Sequence, residues 1–197
     1  MSGRLVAVLI AALAINSHTA SNAMAAEPAV TTYGDLNPRA PNELRVFSFL
    51  VGKWSGPSRV RLENGSYVDR GEVTWIGRYV LDGMAIGDET HSLGPDGKTY
   101  FGITLRHFDT NQDAWIVEFL NVPMSFLRRQ VNPRSGFVRQ DADGIHVIAE
   151  DKEAQTQFRE TYQVQDQSHF TYSATLSPDG GRTWGPVLYV FEMTRVE

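Results

Sequence analysis

No cysteine occurs anywhere in the 197 residues. This excludes disulfides, thiolate catalysis, cysteine-held metal and a lipid anchor on cysteine, so stability must come from the core alone. Basic clusters are also scarce. Lys and Arg number 18 against 23 Asp and Glu, the formal net charge is −5, and the densest basic run is Arg128-Arg129. A nucleic-acid partner is not expected, because phosphate binding needs a basic face. No two histidines lie two to four positions apart, so a compact His-x-His or His-x3-His metal motif is missing and no metal is expected. No glycine-rich phosphate loop opens a helix, and Ser48 and Ser125 lack a nucleophile-elbow context. The only long apolar run, Leu5 to Ile15, falls short of the ~20 residues that span a bilayer. No membrane span and no cofactor are expected.

That apolar run belongs to an address signal. Arg4 supplies a positive start, the apolar stretch follows, and Ala23-Met24-Ala25 is a small-x-small cleavage site. Residues 1–25 therefore read as a secretory signal peptide, cut after Ala25 or Ala26, and the mature protein is expected to be periplasmic or secreted. Residues 26–41, rich in Ala, Pro and Thr without a period, read as a flexible leader. The remaining 42–197 read as one domain.

Asn42 is placed to cap a short helix, with Leu44, Phe47 and Val51 as its apolar side and Gly52 as its stop. Beyond Gly52 the pattern changes. Turn signals such as Glu63-Asn64-Gly65-Ser66, Asp141-Ala142-Asp143-Gly144 and Ser177-Pro178-Asp179-Gly180-Gly181 recur at short intervals. Between them lie β-branched and aromatic runs, predicting strands over 54–62, 67–76, 79–89, 99–108, 114–121, 136–140, 145–149, 157–164, 169–176 and 187–195. So many short strands predict an all-β fold, a single antiparallel up-and-down barrel of about 8–10 strands with a short N-terminal helix. Closing it pairs the first strand with the last, and Trp54 and Arg195 suit that junction: a guanidinium stacks well on an indole.

At Gly52, Trp54 and Arg195 the chain resembles the calycin superfamily, which includes lipocalins and fatty-acid-binding proteins. The runs FLVGKWSG, YVLDGMAIGDE, GITLRHFD, AWIVEFLN and SPDGGRTW further resemble a bacterial family of lipocalin-like domains of unknown function. The resemblance implies a barrel around a lumen and leaves the chemistry open.

Ser177 to Trp184 matches the Asp-box pattern of sialidase-like propellers, but in a single copy. Its physical content is a hairpin turn, with Asp179 bonding the backbone and Trp184 packing beneath. Arg106 and Glu118 lie on successive strands joined by a short turn and are expected in register on one face, with Thr104 beside them and Ile103, Leu105, Trp115, Val117 and Phe119 opposite. Facing inward, they would give the lumen a charged floor. Arg159, Tyr162, Phe170, Tyr172 and Phe191 extend the lining, an apolar wall with few polar anchors. A small apolar or amphipathic ligand is thus the first expectation. The alternatives are a cofactor-independent lyase or isomerase, with Arg106 holding an anionic group and Glu118 or His107 as acid or base, and a structural module of the cell envelope. Asp82, Asp88 and Glu89, like Glu118, are carboxylates that could act in acid–base work. If a lone histidine ligated haem, His107 and His146 would be the two to weigh.

Overall fold

A computed structural model describes residues 31–93, 97–123, 132–134, 136–151 and 155–196. The residues 1–25 that read as a signal peptide, with the expected cleavage site, lie outside them. Asn42–Leu50 is a 3-10 helix, not an α-helix. Its buried side is Leu44, Phe47 and Leu50, a repeat of three, where α-helical spacing had pointed to Val51. Three residues per turn put those three side chains in line. Asn42 does not cap the helix: the position before it is Pro41, and no side chain caps the N-terminus. Gly52, at φ 128°, turns the chain into the first strand.

Eleven strands follow: β1 (Gly52–Arg61), β2 (Tyr67–Val80), β3 (Ala85–Leu93), β4 (Thr99–Asp109), β5 (Ala114–Pro123), β6 (Asn132–Arg134), β7 (Gly136–Asp141), β8 (Gly144–Asp151), β9 (Thr156–Val164), β10 (His169–Ser177) and β11 (Val187–Arg195). They make one antiparallel sheet in the order β6-β5-β4-β3-β2-β1-β11-β10-β9-β8-β7. The expected up-and-down barrel is the architecture. Its first and last strands pair, so the free edges fall to β6 and β7, which follow one another in sequence. Contacts between β5 and β7 leave the barrel nearly closed there.

Two expected boundaries move. A strand break was expected after Ile76, but β2 runs through Gly77 to Val80 and the turn lies at 81–84. Gly77 serves packing instead: a Cβ there would sit 2.1 Å from the Leu50 carbonyl oxygen, so only glycine lets the helix end rest on β2. The turn expected at 132–136 instead contributes residues to both sheet edges.

The leader also changes status where it is described. Asn37 is buried; its Nδ2 donates to the Asp82 carbonyl at 2.9 Å and to the Asp82 carboxylate at 3.0 Å. Leu36 and Ala40 pack on the core. The β2–β3 turn therefore clasps residues that composition assigned to a loose leader.

Trp54 pairs directly with Arg195, whose guanidinium carbon lies 4.2 Å from the centre of the indole ring system. Arg195 also donates to the carbonyls of Val51 (2.7 Å), Phe49 (3.1 Å) and Gln167 (2.8 Å), and Trp54 Nε1 donates to the Leu50 carbonyl at 3.2 Å. One clasp thus ties the helix, both terminal strands and the β9–β10 turn. At this end Leu44, Phe47, Leu50, Trp54, Phe170 and Met193 are essentially inaccessible. Burying each such side chain stabilises the fold by roughly 1.5–3 kcal/mol. The helix plugs this end; the other end is the mouth.

Candidate functional site

Asp109 pairs with Ala114 across the turn 110–113, which sets the register of β4 on β5. Arg106 therefore faces Val117, and Leu105 faces Glu118. Successive strand residues point to opposite sides, so Arg106 and Glu118 are on different faces. Arg106 is buried inside the barrel and Glu118 is exposed outside it. The expected Arg106–Glu118 pair does not exist. Trp115 and Val117 join Arg106 and Thr104 on the inner face, not the opposite set, because this register matches even-numbered residues of β4 with odd-numbered residues of β5.

The true partner of Arg106 is Asp88 on β3, an ion pair with both side chains at 1% exposure or less. Asp88 stands opposite Thr104, and Arg106 opposite Ile86, so the charges meet diagonally on the inner face. Arg106 Nη2 also donates to the Tyr162 hydroxyl at 2.8 Å. That hydroxyl donates to Glu160 Oε2 at 2.9 Å, and the Tyr172 hydroxyl donates to Glu160 Oε1 at 3.1 Å. A continuous chain, Asp88–Arg106–Tyr162–Glu160–Tyr172, crosses the lumen from β3 to β10. The rings of Phe47 and Tyr162 lie 5.3 and 5.8 Å from the guanidinium carbon, so the helical plug also touches this layer.

Electrostatics assign each member a state. Burial raises the Asp88 carboxyl to about 6, with Arg106 restraining the rise. Burial works against the Arg106 charge as well, but Asp88, Tyr162 and Glu160 outweigh it and hold the guanidinium protonated. Burial pushes both the Tyr162 and Tyr172 phenols well above their ordinary range. They are neutral donors, as their bonds to Glu160 require. Arg106 Nε and Trp75 Nε1 are buried with no hydrogen-bond partner among the described residues, whereas Thr104 stands beside the Asp88 carboxylate. Trp75 belongs to the same layer: it follows the inner face of β2 two residues before Gly77, which pairs with Asp88.

Above this layer the inner wall is accessible. Glu160, Tyr189 and Phe191 are only partly buried although all three point inward. Glu160 lies on β9, flanked by β8 and β10; Tyr189 and Phe191 lie on β11, flanked by β10 and β1. Solvent can reach an inward side chain on a flanked strand only through the lumen. Tyr172, Tyr189 and Phe191 form one aromatic wall, with ring centres 5.2–5.9 Å apart.

Thr104, Arg106, Tyr162 and Tyr172 stand on the inner face as expected, whereas Phe170 belongs to the closed floor. Arg159 does not line the lumen. It pairs with Ile148 and Thr175 on the outer face, its guanidinium 4.2 Å from the Trp184 ring. That ring belongs to the Asp-box turn, which behaves as a hairpin: the Asp179 carboxylate accepts from Thr183 N (2.8 Å), Thr183 Oγ1 (2.6 Å) and Ser177 Oγ (2.8 Å). Those bonds hold the Asp179 carboxyl down at about 2.

His107 pairs with Ile116 and shares the outer face with Glu118, so neither meets Arg106 as an acid–base group. His146 is also turned outward; it is held by Thr161 and Asp141, each at 3.0 Å. One member of the layer, Glu160, escaped sequence reasoning, and Asp88 was named there as a carboxylate but not as the partner of Arg106. Glu160 had a legible signal, two residues before Tyr162 on one strand and hence on its face. The pairing of Asp88 with Arg106 had none, since it is fixed by the β3–β4 register.

No known protein family matches the chain, and no curated protein does. Solved structures do match in shape. The crystal structure of Rv2717c from M. tuberculosis superposes with a TM-score of 0.51 at 12% identity, covering 83% of this chain and all of that one. A second structure, EF1p2_mFAP2b bound to DFHBI, gives a TM-score of 0.36 at 10% identity, over 78% of this chain and 98% of that one, a likeness too slight to bear an argument. At such identities only the fold is shared: this chain is similar to a known structure as a nearly closed antiparallel barrel.

Proposed function

We propose that this chain is an exported barrel that binds a small amphipathic molecule in the mouth-side half of its lumen. One observation carries the reading: inward side chains on flanked strands, Glu160, Tyr189 and Phe191, remain partly exposed. A solid interior would bury them as it buries Trp54 and Phe170. The ligand's apolar body lies along the Tyr172–Tyr189–Phe191 wall, and its polar end reaches the hydrogen-bonded layer beneath. Export rests on the signal-like residues 1–25 alone.

The test is native mass spectrometry of protein recovered, without denaturation, from the periplasmic extract of its own host. The expected result is a chain beginning at Ala26 or Glu27 that carries an additional small-molecule mass. A bare chain that also fails to bind an apolar fluorescent dye saturably would sink the binding reading; a chain still beginning at Met1 would sink export.

A further inference from the structure

We infer that the lumen selects a cationic head group, a protonated amine on an apolar or aromatic body, and disfavours a carboxylate. This rests on the binding reading above. The layer beneath the mouth holds two carboxylates, Asp88 and Glu160, against one guanidinium, Arg106. Its formal balance is one negative charge.

The position of the charges matters more than their sum. Arg106 is sealed behind Tyr162 and Phe47, and its ion pair with Asp88 neutralises it. An arriving anion finds no free cation there. Glu160 is the charged member that the lumen reaches. Both of its oxygens accept phenolic hydrogens, yet a carboxylate has about four acceptor positions, so it retains capacity for a further donor. Asp88 is sealed beside Arg106 and Thr104 and adds its negative charge to the layer without meeting the ligand.

The space beside Glu160 suits a cation. Glu160 pairs with Ala174, and Ala174 with Tyr189. Ala174 itself is fully buried between them, so the groups the lumen reaches here are Glu160 and Tyr189, both partly exposed. The aromatic wall borders Glu160 through Tyr172, and ring faces attract ammonium ions. Carboxylate and ring faces therefore favour the same charge.

The groups that argue otherwise lie near the same layer. Arg106 Nε and Trp75 Nε1 are donors without a partner among the described residues, but both are sealed within the layer, out of reach of a ligand in the mouth-side half. Arg70 stands nearer the mouth on the inner face of β2, two residues after Val68, which pairs with the inward Val60. It already has an interaction of its own.

Three probes of equal size test the inference on the full mature chain at pH 7 by calorimetry: 4-butylbenzylamine, 4-butylbenzyl alcohol and 4-butylbenzoate. The amine is expected to bind about tenfold more tightly than the benzoate, a difference of ~1.4 kcal/mol, with the alcohol between. Glu160→Gln, checked for folding by circular dichroism, should bring the amine to the affinity of the alcohol. Independently of any variant, added salt should weaken the amine more than the alcohol. Benzoate binding tightest, and losing that advantage in Arg70→Gln, overturns the inference while leaving a ligand-binding lumen intact. Failure of all three probes to bind sinks the lumen reading and this inference with it.

Discussion

The two ends of this barrel use the same kinds of residue to opposite effect. At the plugged end Trp54 and Phe170 meet edge-to-face 4.8 Å apart, as Phe47 and Trp115 do at 5.1 Å, and all four are buried. At the mouth Tyr189 and Phe191 stack 5.6 Å apart and stay partly exposed. The difference lies in what covers them. A 3-10 helix is pinned over the first set by Arg195, Gly77 and the Asn37–Asp82 clasp, whereas the second set faces the lumen. Between them lies the Asp88–Arg106–Tyr162–Glu160–Tyr172 layer, which is the floor of one half and the ceiling of the other. Aromatic content therefore says little about function here, and cover says much more.

The comparison breaks first if the plugged end is not what stabilises the fold. Trp54→Ala is expected to cost about 3–5 kcal/mol, read as a lower midpoint in urea, because it opens a cavity and strands the Arg195 guanidinium. An unchanged midpoint would remove the clasp from the account.

The middle layer gives the next effect. Arg106→Met leaves Asp88 buried and unpaired, at a cost of roughly 3–5 kcal/mol, while Asp88→Asn with Arg106→Met together should cost less than the single change. The pH dependence follows from the sign of the shift. Asp88 stands near 6 in the fold against an ordinary 3.8, so the folded state holds the proton longer than the unfolded chain. Its contribution to stability is fully present below about pH 4 and is lost as pH rises through 6. Denaturant titrations from pH 4 to 7 should show that fall in the wild type and not in Asp88→Asn; an equal slope in both removes Asp88 as its source.

The smallest effects sharpen the contrast between inside and outside. Phe191→Leu should cost about 1.5 kcal/mol or less while weakening whatever binds in the lumen. Glu118→Gln, on the outer face, should change stability by no more than about 0.5 kcal/mol and leave binding unaltered. Loss of binding in Glu118→Gln alone would move the site to the outside of the barrel.

Much of this fold was legible because its signals are local. Turn residues, alternation and the Gly52–Trp54 start belong to short windows, and Arg195 could be matched to Trp54 because a closed barrel has to join its first and last strands. The site was harder to read. Arg106, Thr104, Tyr162 and Tyr172 could be nominated as polar or aromatic residues inside strands. Which carboxylate met Arg106 depended on register: one residue of slip at the 110–113 turn exchanges Val117 for Glu118. Arg159 misled for the same reason, since an arginine beside Glu160 in sequence points to the opposite face. The helix misled through its period, as Leu44, Phe47 and Leu50 fit three residues per turn and α-helical counting passes over Leu50.

The sheet order also bears on how the chain reaches this state. Every pairing but one joins neighbouring strands, contacts that a growing hairpin makes early. The exception is β1 with β11, where Arg195 reaches Val51 across 144 positions. Closing so long a loop costs entropy before any contact repays it, so this rung is expected to form last. The clasp then acts chiefly as a brake on opening. Trp54→Ala should accelerate unfolding far more than it slows refolding, a partition that the two arms of a chevron would display.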